Sequence, residues 1–296
     1  MLKSRLCIAF FAFAVGCAPA QKPLTDYVNP MLGTATLWDS VDLGFKPTKR
    51  TWGAEVFPGS SLPNAMVQVS PVTKFHSGAG YQYEDSVIYG FTHTNKGHWN
   101  LCHIPLLPVT GTPTPGDYCS PFSHERESAA PGYYQVFLDR YGVDAQLSST
   151  LRCAFHKYTY PAAASLLADL QRSNEHVRAW DIRKEGDNVF AGWQQTGEKM
   201  YFYAVANRPV TGIEPVVEGD REVRIVRFGE GDGALELRIG FSFVSEKNAR
   251  ENLEAEMLGK SFAEVRSEAT ATWNDLLGRI RVEGGTEREK GLFYSR

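Results

Sequence analysis

Short apolar runs, each interrupted by glycine, proline or a polar turn, follow one another from residue 66 to residue 244, and they limit the fold more than any other feature. Several of them alternate apolar and polar side chains, as residues 133–139 do, and this period of two is typical of a strand with one buried face. Strand–helix–strand alternation and a glycine-rich phosphate loop are absent from the sequence, which disfavours a dinucleotide enzyme. The even spacing predicts an all-β fold in which two antiparallel sheets pack face to face. The expected strands are 66–69, 104–109, 133–138, 143–147, 154–160, 165–170, 189–194, 200–207, 223–228 and 235–244.

Helical periodicity is confined to the end of the chain. Residues 248–258 and 261–277 are rich in Glu, Ala, Arg and Leu, and the second segment carries apolar side chains three and four residues apart. This stripe, which predicts a helix face to be buried, consists of Phe262, Val265, Ala269, Trp273 and Leu276. A further helix is expected to begin at residue 286, after an extended connector.

Residues 1–20 have the pattern of an export signal. Two basic residues precede an apolar run at 6–15 that is too short to span a bilayer, and residues 18–20 are small enough for cleavage. Cys17 lies in a loose lipobox, so lipid attachment there is the alternative to cleavage. We therefore expect an exported protein, either periplasmic or an outer-membrane lipoprotein, and no later segment is apolar enough to form a transmembrane span.

Charge and cysteine content restrict the partners and the cross-links. The net charge is −3 without a long run of one sign, which argues against a nucleic-acid partner. Three of the five cysteines, Cys102, Cys119 and Cys153, follow the export segment. A domain of this size does not need disulfides for its core, so a Cys102–Cys119 bridge and three reduced thiols are both compatible with the sequence.

The segment 90–103 is unusually rich in groups that bind ligands. It contains three histidines, two asparagines, a lysine and Trp99, and it precedes the apolar run 104–109. An exposed tryptophan in a polar loop is uncommon without a ligand, and its flat ring suits the C–H face of a sugar. The His, Asn and Lys side chains offer directional hydrogen bonds to hydroxyl groups. The segment therefore predicts a polar ligand and favours a carbohydrate.

The histidines of this segment also have two less specific interpretations. His93, His98 and His103 recur every fifth residue, which places them on no common face of a helix or a strand. Cys102 adjoins His103, but neither a CxxC nor an HxxxH spacing accompanies them, so zinc is disfavoured. A purely structural role is as compatible with any single histidine as ligand binding is. The binding hypothesis therefore depends mainly on Trp99.

A series of short sequence blocks occurs in order along the chain. The blocks are DYVNPMLGT at 26–34, PGSSLPNAMVQVSP at 58–71, GYQY at 80–83, the segment 90–103, FSHERE at 122–127 with PGYY at 131–134, RCAFHKYTYP at 152–161, IGFSFVS at 239–245 and NARENL at 248–253. In this order and spacing they resemble the blocks of glycoside hydrolase family 92, the calcium-dependent bacterial α-mannosidases. The resemblance extends from residue 26 to about residue 294.

The resemblance implies a definite architecture. Family members join an N-terminal β-sandwich of the galactose-mutarotase or supersandwich type, through helices, to an (α/α)6 barrel. Residues 25–245 would form the sandwich domain, 246–280 the helical linker, and 281–296 the first turns of a truncated barrel. The resemblance implies that the catalytic barrel is missing from residues 1–296. Because the general acid and general base of the family lie in that barrel, it also implies that these residues contain no catalytic carboxylate.

The same resemblance implies roles for individual residues, with the sandwich closing the barrel's pocket. Trp99 would stack on the sugar next to the cleaved mannose, and His98 would line the pocket. Gly97 would allow the backbone to approach the ligand. The remaining candidate substrate contacts are His93, Asn95 and Lys96. Calcium is the implied cofactor, with no ligand assigned in this sequence, and a glycan with α-1,2-linked mannose is the implied substrate.

Carboxylates in the loops offer another possible source of chemistry. An inverting glycosidase places its two carboxyl groups about 6.5–9.5 Å apart, but sequence spacing does not identify such a pair. We expect these carboxylates to contact backbone groups or arginines instead. They are Asp39, Asp42, Glu55, Glu84, Asp85, Glu125 and Glu127.

Three functional hypotheses follow. The first is the N-terminal part of an exported mannosidase, inactive alone. The second is a free-standing sugar-binding or interaction module, which the helical pattern at residues 286–296 disfavours because the sequence stops inside it. The third is an unrelated metal or carboxylate hydrolase, which the lack of metal-ligand spacing disfavours.

Overall fold

The structure, a computed structural model, describes residues 22–37, 44–46, 54–96 and 99–296, apart from the side chain of Lys96. The predicted export segment, including Cys17, lies outside the described residues. In the described ranges, no helix has both the length and the apolar character needed to cross a membrane.

Nineteen strands are present in these ranges. Seven form sheet A, in the order β1-β2-β4-β7-β13-β18-β17, and eight form sheet B, in the order β14-β15-β16-β19-β12-β11-β10-β9. The other four form two short antiparallel ribbons, β3 with β8 and β5 with β6. The strands are β1 (Ser60–Ser61), β2 (Gln68–Val72), β3 (Val87–Ile88), β4 (Gly90–Thr92), β5 (Asn95–Lys96), β6 (Trp99–Asn100), β7 (Leu106–Val109), β8 (Ser120–Pro121), β9 (Glu127–Ala130), β10 (Tyr133–Leu138), β11 (Val143–Ser149), β12 (Cys153–Thr159), β13 (Ser165–Ala168), β14 (Ala179–Gly186), β15 (Val189–Gln195), β16 (Lys199–Ala206), β17 (Val210–Glu218), β18 (Arg221–Phe228) and β19 (Leu235–Ser242).

The predicted two-sheet antiparallel sandwich is confirmed, and each of the ten predicted strands overlaps a strand of the structure. Two long strands were not predicted. β14 and β17 lie at the edges of their sheets, and most of their side chains are exposed or half-buried. An edge strand without a fully buried face has no strict alternation, so the period-two pattern does not detect it.

The core lies between the two sheets. In β16, Met200, Phe202 and Ala204 are buried and face this core, while the residues between them are only half-buried. Sheet A contributes the apolar side chains of β7, β13 and β18 to the same core, for example Leu106 and Ile225. Burying a large apolar side chain contributes about 1.5–3 kcal/mol, so these alternating positions fix the register of both sheets.

Helices cover the outer face of sheet B. The three α-helices of the described residues are α1 (Glu246–Glu256), α2 (Phe262–Leu277) and α3 (Glu287–Tyr294), and their positions agree with the predicted helical segments. Leu253 of α1 and Phe262 of α2 pack against Phe155 of β12 in a second apolar cluster. Helix α1 crosses so closely that a Cβ on Gly240 of β19 would lie 2.1 Å from the Ala249 carbonyl oxygen. A glycine is therefore required at this crossing.

The predicted apolar stripe of α2 is only partly buried. Phe262, Val265 and Ala269 are buried, whereas Trp273 and Leu276 are half-buried. The Trp273 indole N–H donates to the Ser61 carbonyl oxygen at 2.7 Å, so this tryptophan ties the helix to the sandwich. The start of the described chain also packs against α2.

A hydrogen bond between two histidines joins the sheets inside the core. His93 follows β4 of sheet A and His156 lies in β12 of sheet B; both are fully buried, and their Nε2 atoms are 3.0 Å apart. The Nδ1 atom of His156 is 2.5 Å from the Tyr158 hydroxyl. Burial lowers the pKa of His93 to about 3 and lowers that of His156 well below its usual range, because an imidazolium in the core would lose its hydration. Both rings are therefore neutral near pH 7.

We predict that stability falls as the pH drops below about 6.5, the pKa of histidine in an unfolded chain. The unfolded state then binds protons that the folded state excludes, so each buried histidine costs about 1.4 kcal/mol per pH unit until the pH reaches its lowered folded pKa. The free energy of unfolding in urea, measured at pH 7 and pH 5, tests this. The His156→Gln variant should show a loss about 2 kcal/mol smaller than the wild type. The control is His176→Gln, at an exposed histidine; equal losses in the wild type and both variants would contradict the prediction.

Candidate functional site

The segment 90–103 forms a short hairpin at one end of the sandwich. Strand β4 leaves sheet A, β5 pairs with β6 in the registers Asn95↔Asn100 and Lys96↔Trp99, and the chain then returns to sheet A as β7. Gly97 and His98 lie outside the described residues. Of the candidate binding residues, Asn95, Lys96 and Trp99 are thus brought together on one hairpin.

Two side chains of this hairpin are suited to hold a ligand. Trp99 is half-buried and keeps part of its indole at the surface. Asn95 is also half-buried, and neither Oδ1 nor Nδ2 of its amide has a hydrogen-bond partner in the described part of the chain, although both atoms are buried. An unpaired buried amide costs about 1–3 kcal/mol per group, so a hydroxyl-bearing ligand that reached Asn95 would gain hydrogen bonds. An aromatic face and an unpaired amide are each groups that can bind a sugar.

Asn100 fixes the base of the hairpin. Its amide donates to the Ala79 carbonyl at 3.1 Å and accepts from the Cys102 N–H at 2.7 Å. Its backbone N–H donates to the Gly78 carbonyl at 2.8 Å. Trp99, the residue before Asn100, is therefore attached to a rigid base.

Asn174, in the connection between β13 and β14, joins three segments at this base. Its Nδ2 donates to the carbonyls of Asn100, at 2.5 Å, and Ser77, at 3.2 Å. Its Oδ1 accepts from the His76 backbone N–H at 2.6 Å. Because Asn174 is buried, these bonds are protected from water and hold the hairpin against the loops around it.

His103 is a structural part of the same base. It is buried, with Nδ1 2.9 Å from the Thr94 hydroxyl and Nε2 2.9 Å from the Thr196 hydroxyl. Thr196 donates its single hydroxyl proton to Glu175, so the network assigns the His103 proton to Nε2 and makes Nδ1 the acceptor from Thr94. Burial lowers the pKa of His103 to about 4 despite the opposing charge of Glu175. The neutral ring therefore has both nitrogens paired.

The backbone that leaves the hairpin is strained. Cys102 and Ile104 both have a φ of 54°, a conformation that is rare for any residue with a Cβ and especially for a branched one. The Gln194 side chain accepts from the Ile104 N–H at 2.8 Å and helps to hold it. Strain of this kind often marks functional loops.

The thiols of Cys102, Cys119 and Cys153 are free, so of the two alternatives for these cysteines the structure has the reduced one.

His93 is placed differently from the other candidates. None of its surface is exposed, and it packs against His156 and Phe241, with 4.6 Å between the ring centroids of His93 and Phe241. In this structure it supports the hairpin from inside the core. No three acidic, histidine or cysteine side chains of the described residues are grouped so that they could hold a metal ion.

The loop carboxylates have internal partners. Glu84 accepts from the Thr36 backbone N–H at 2.6 Å, and Asp85 accepts from the Thr73 hydroxyl at 2.8 Å. Glu127 is almost fully buried and is bonded to the hydroxyls of Tyr81 and Tyr134 and to the His124 ring. Asp39 and Asp42 lie outside the described residues. The bonded groups act as acceptors that organise loops. Glu84 contacts a backbone N–H as expected, whereas within the described part of the chain Asp85 and Glu127 contact hydroxyl and imidazole side chains instead of backbone groups or arginines.

The most important support of the hairpin was missed by sequence reasoning. Asn174 and Thr196 are far from residues 90–103 along the chain, and no motif includes them. The only signal in the sequence is the polar run 171–176, which follows the apolar end of β13. A polar run between two strands is common, so it identifies a loop but not its partner.

Comparison with known proteins gives the relationships of the chain. The sequence profile of the glycosyl hydrolase family 92 N-terminal domain matches residues 27–252, and that of the glycosyl hydrolase family 92 catalytic domain matches residues 248–296. An uncharacterized secreted glycosidase from Arthroderma benhamiae is 24% identical over 314 aligned residues, which cover 88% of this chain and 38% of that protein.

Solved structures show the same relationship. A family 92 α-mannosidase from Bacteroides thetaiotaomicron is 26% identical, with a TM-score of 0.80, over 93% of this chain and 40% of that one. The structure of the same enzyme in complex with mannoimidazole gives 25% identity and a TM-score of 0.79, over 93% of this chain and 39% of that one. A family 92 inverting mannosidase from the same organism, at 24% identity and a TM-score of 0.77 over 92% of this chain and 38% of its own, shows the fold alone. This chain therefore spans about two-fifths of the length of these relatives.

We predict that Asn174→Ala loosens the hairpin. The change removes three buried hydrogen bonds and leaves their partners unpaired, so it should lower the free energy of unfolding by about 3 kcal/mol. It should also speed hydrogen exchange at the amides of Asn100 and Cys102. The control is Asn207→Ala, which removes two side-chain hydrogen bonds at an exposed position and should cost about 1 kcal/mol. Unchanged exchange at Asn100 and Cys102 in Asn174→Ala would refute the anchoring role.

Proposed function

The chain belongs to glycosyl hydrolase family 92, and we propose that it is the sandwich part of an exported, inverting, calcium-dependent exo-α-mannosidase acting on α-1,2-linked mannose in mannose-rich glycans. The observation that carries the proposal is the 26% identity, over 93% of this chain, with a solved α-mannosidase. That enzyme is much longer than this chain, which covers 40% of it. The activity of the whole enzyme is therefore part of the proposal.

The hairpin supplies the proposed sugar contacts. Trp99 presents part of a flat apolar ring, and the amide of Asn95 on the same hairpin has two atoms without a partner among the described residues. A pyranose has an apolar C–H face that can stack on an indole and hydroxyls that can bond an amide. Lys96, Gly97 and His98, from the same segment 90–103, complete the proposed contact set. His93 acts from the core as a support.

Catalysis itself is proposed to need groups outside residues 1–296. An inverting glycosidase needs one carboxylic acid to protonate the departing oxygen and one carboxylate to activate water on the other side of the ring. Glu84, Asp85 and Glu127 are bonded internally instead. The acid and the base are proposed to come from the barrel, while the hairpin orients the sugar. Residues 1–296 alone would then bind without turnover.

Calcium is part of the proposal, although the described residues do not fit it as its ligands. Calcium takes six to eight oxygen ligands, usually including several carboxylates. The described residues contain no group of three such side chains, so they offer no complete ligand set for the ion.

Export is proposed on two grounds. Residues 1–20 combine a basic start, a short apolar run and small residues at the cleavage position. The Arthroderma benhamiae relative is described as secreted. Lipid attachment at Cys17 is the alternative to cleavage, with the periplasm or the outer membrane as the destination.

A second candidate is a sugar-binding module without catalysis. It is favoured by the internal bonding of the carboxylates described above and uses the same hairpin. The two candidates differ in one respect only. The module would give no turnover even when a barrel is supplied.

We predict that the chain alone, with calcium, does not hydrolyse α-1,2-mannobiose, and that fusion to a barrel from a related enzyme restores hydrolysis. In an active fusion, Trp99→Ala should lower kcat/KM about tenfold, because the stacking surface is lost. Release of mannose is the measurement.

The control is Trp193→Ala, which removes an equally half-buried tryptophan on β15, where Lys199 lies over its ring. It should leave kcat/KM unchanged. Hydrolysis by the chain alone would refute the division of labour between sandwich and barrel. Equal effects of the two tryptophan variants would refute the stacking role of Trp99, and mannobiose binding without hydrolysis in every fusion would favour the module.

A further inference from the structure

A broad surface cavity of about 710 Å³ lies beside the base of the hairpin. Its wall is built from the connection between β13 and β14, residues 171–178, together with the first residues of β14 and Arg221 of β18. This volume is in the range of small-molecule sites. None of the described candidate sugar contacts lines the cavity. The cavity is nevertheless near the base of the hairpin, because Asn174, in the connection that builds the wall, is hydrogen-bonded to Asn100.

Three arginines line the cavity, and one of them is free. The guanidinium of Arg178 has no hydrogen bond or ion pair with any described residue, while its backbone N–H donates to the Gln195 carbonyl at 2.8 Å and fixes its position. Arg221 donates from one terminal nitrogen to Asp169 at 2.6 Å, but its Nε is buried without a partner in the described chain. Arg172 donates to the Tyr118 hydroxyl at 3.3 Å. The wall therefore offers spare donors.

Negative charge in the wall is smaller, and one oxygen of each carboxylate is bonded within the protein, while Asp169 Oδ1 has no partner among the described residues. Asp169 is fully buried beneath the cavity, and its Oδ2 lies between Arg221 and Arg172 and also accepts from Tyr118. Glu175, the carboxylate that lines the wall, accepts from Thr196. Three guanidinium groups thus face two carboxylates, which leaves one positive charge. An acceptor-rich anion would match this excess of donors.

An aromatic ring completes the wall. Trp180, the second residue of β14, is half-buried and lines the cavity, with the Arg224 guanidinium 5.2 Å from its ring centroid. A bare anion needs no aromatic surface, whereas a pyranose ring can stack on one. The combination of a ring and unpaired guanidinium donors suits a sugar that carries a negative charge.

We propose that this cavity binds a saccharide bearing an anionic group, either a carboxylate or a phosphate ester. Arg178 and Arg221 bind the anionic group, and Trp180 packs against the sugar ring. His76 and His176, which also line the cavity, bond the remaining hydroxyls. The cavity would let the protein hold an acidic branch or neighbour of a glycan. This goes beyond the proposed function, because it does not depend on mannoside hydrolysis or on Trp99.

A matched series of ligands tests the proposal by ligand-observed NMR titration of the full chain. The probes are glucose, glucuronic acid, glucose 6-phosphate and inorganic phosphate. At least one acidic sugar should bind about tenfold more tightly than glucose, and high salt should weaken that binding. Preference for glucuronic acid would assign a carboxylate ligand, and preference for glucose 6-phosphate would assign a phosphate ester. Equal binding of glucose and both acidic sugars would overturn the proposal.

Variants locate the site and separate it from the hairpin. Arg178→Ala should weaken binding of the acidic sugar about tenfold, whereas Arg288→Ala, at an exposed arginine of α3, should have no effect. Trp180→Leu should weaken the acidic sugar but not inorganic phosphate. Unchanged binding of the acidic sugar would reduce the cavity to a simple anion site, and equal losses for both probes would show that the ring makes no sugar-specific contact; either result would overturn the saccharide assignment. Trp99→Ala should leave acidic-sugar binding intact, and a loss there would place the ligand on the hairpin instead. Failure of the mannoside experiments would leave these results unaffected.

Discussion

The packing of two antiparallel sheets against each other, with helices on the outer face of one of them, is the constraint on which the rest of the structure depends. Sheet B is buried on both faces where the helices cover it, so in β12 the neighbouring residues Ala154 and Phe155 are both buried although they point to opposite sides. A sheet held from both sides cannot slip in register without exposing apolar surface. Its strand ends are therefore fixed points from which loops can be positioned.

The polar side chains of residues 90–103 divide into two groups on this frame. His93, Asn100 and His103 are buried and bonded within the protein, whereas Asn95 and Trp99 are half-buried at the hairpin. Burying the polar side chains of His93, Asn100 and His103 costs free energy unless they form hydrogen bonds. Each of the two histidines stays neutral because a buried imidazolium would lose its hydration. Within this one short segment, some side chains therefore support the hairpin from inside and others remain partly exposed on it. A ligand at the hairpin would meet a surface that is organised before it binds.

The hairpin and the neighbouring cavity are linked through hydrogen bonds of the connection between β13 and β14. Asn174 bonds the hairpin base, and the next residue, Glu175, lines the cavity and accepts from Thr196, which itself bonds His103. Two binding surfaces built on one buried network can hold different parts of the same extended glycan. The proposed mannoside contacts and the proposed acidic-sugar cavity therefore fit one substrate with a neutral and a charged portion. Each surface nevertheless stands on its own side chains.

The sequence by itself determined the fold class and the positions of ten strands and three helices, and it predicted the segment in which the candidate binding groups lie. These features are local: alternation along 199–206 or the stripe of Phe262, Val265 and Ala269 records which side each residue faces. The edge strands β14 and β17 were missed because neither has a fully buried face. Only the tertiary structure decided that His93 belongs to the core, that Asn174 anchors the hairpin, and that Arg178, Trp180 and Arg221 line one cavity. Such contacts join residues far apart in the chain, and their energies depend on burial and geometry that no local pattern encodes.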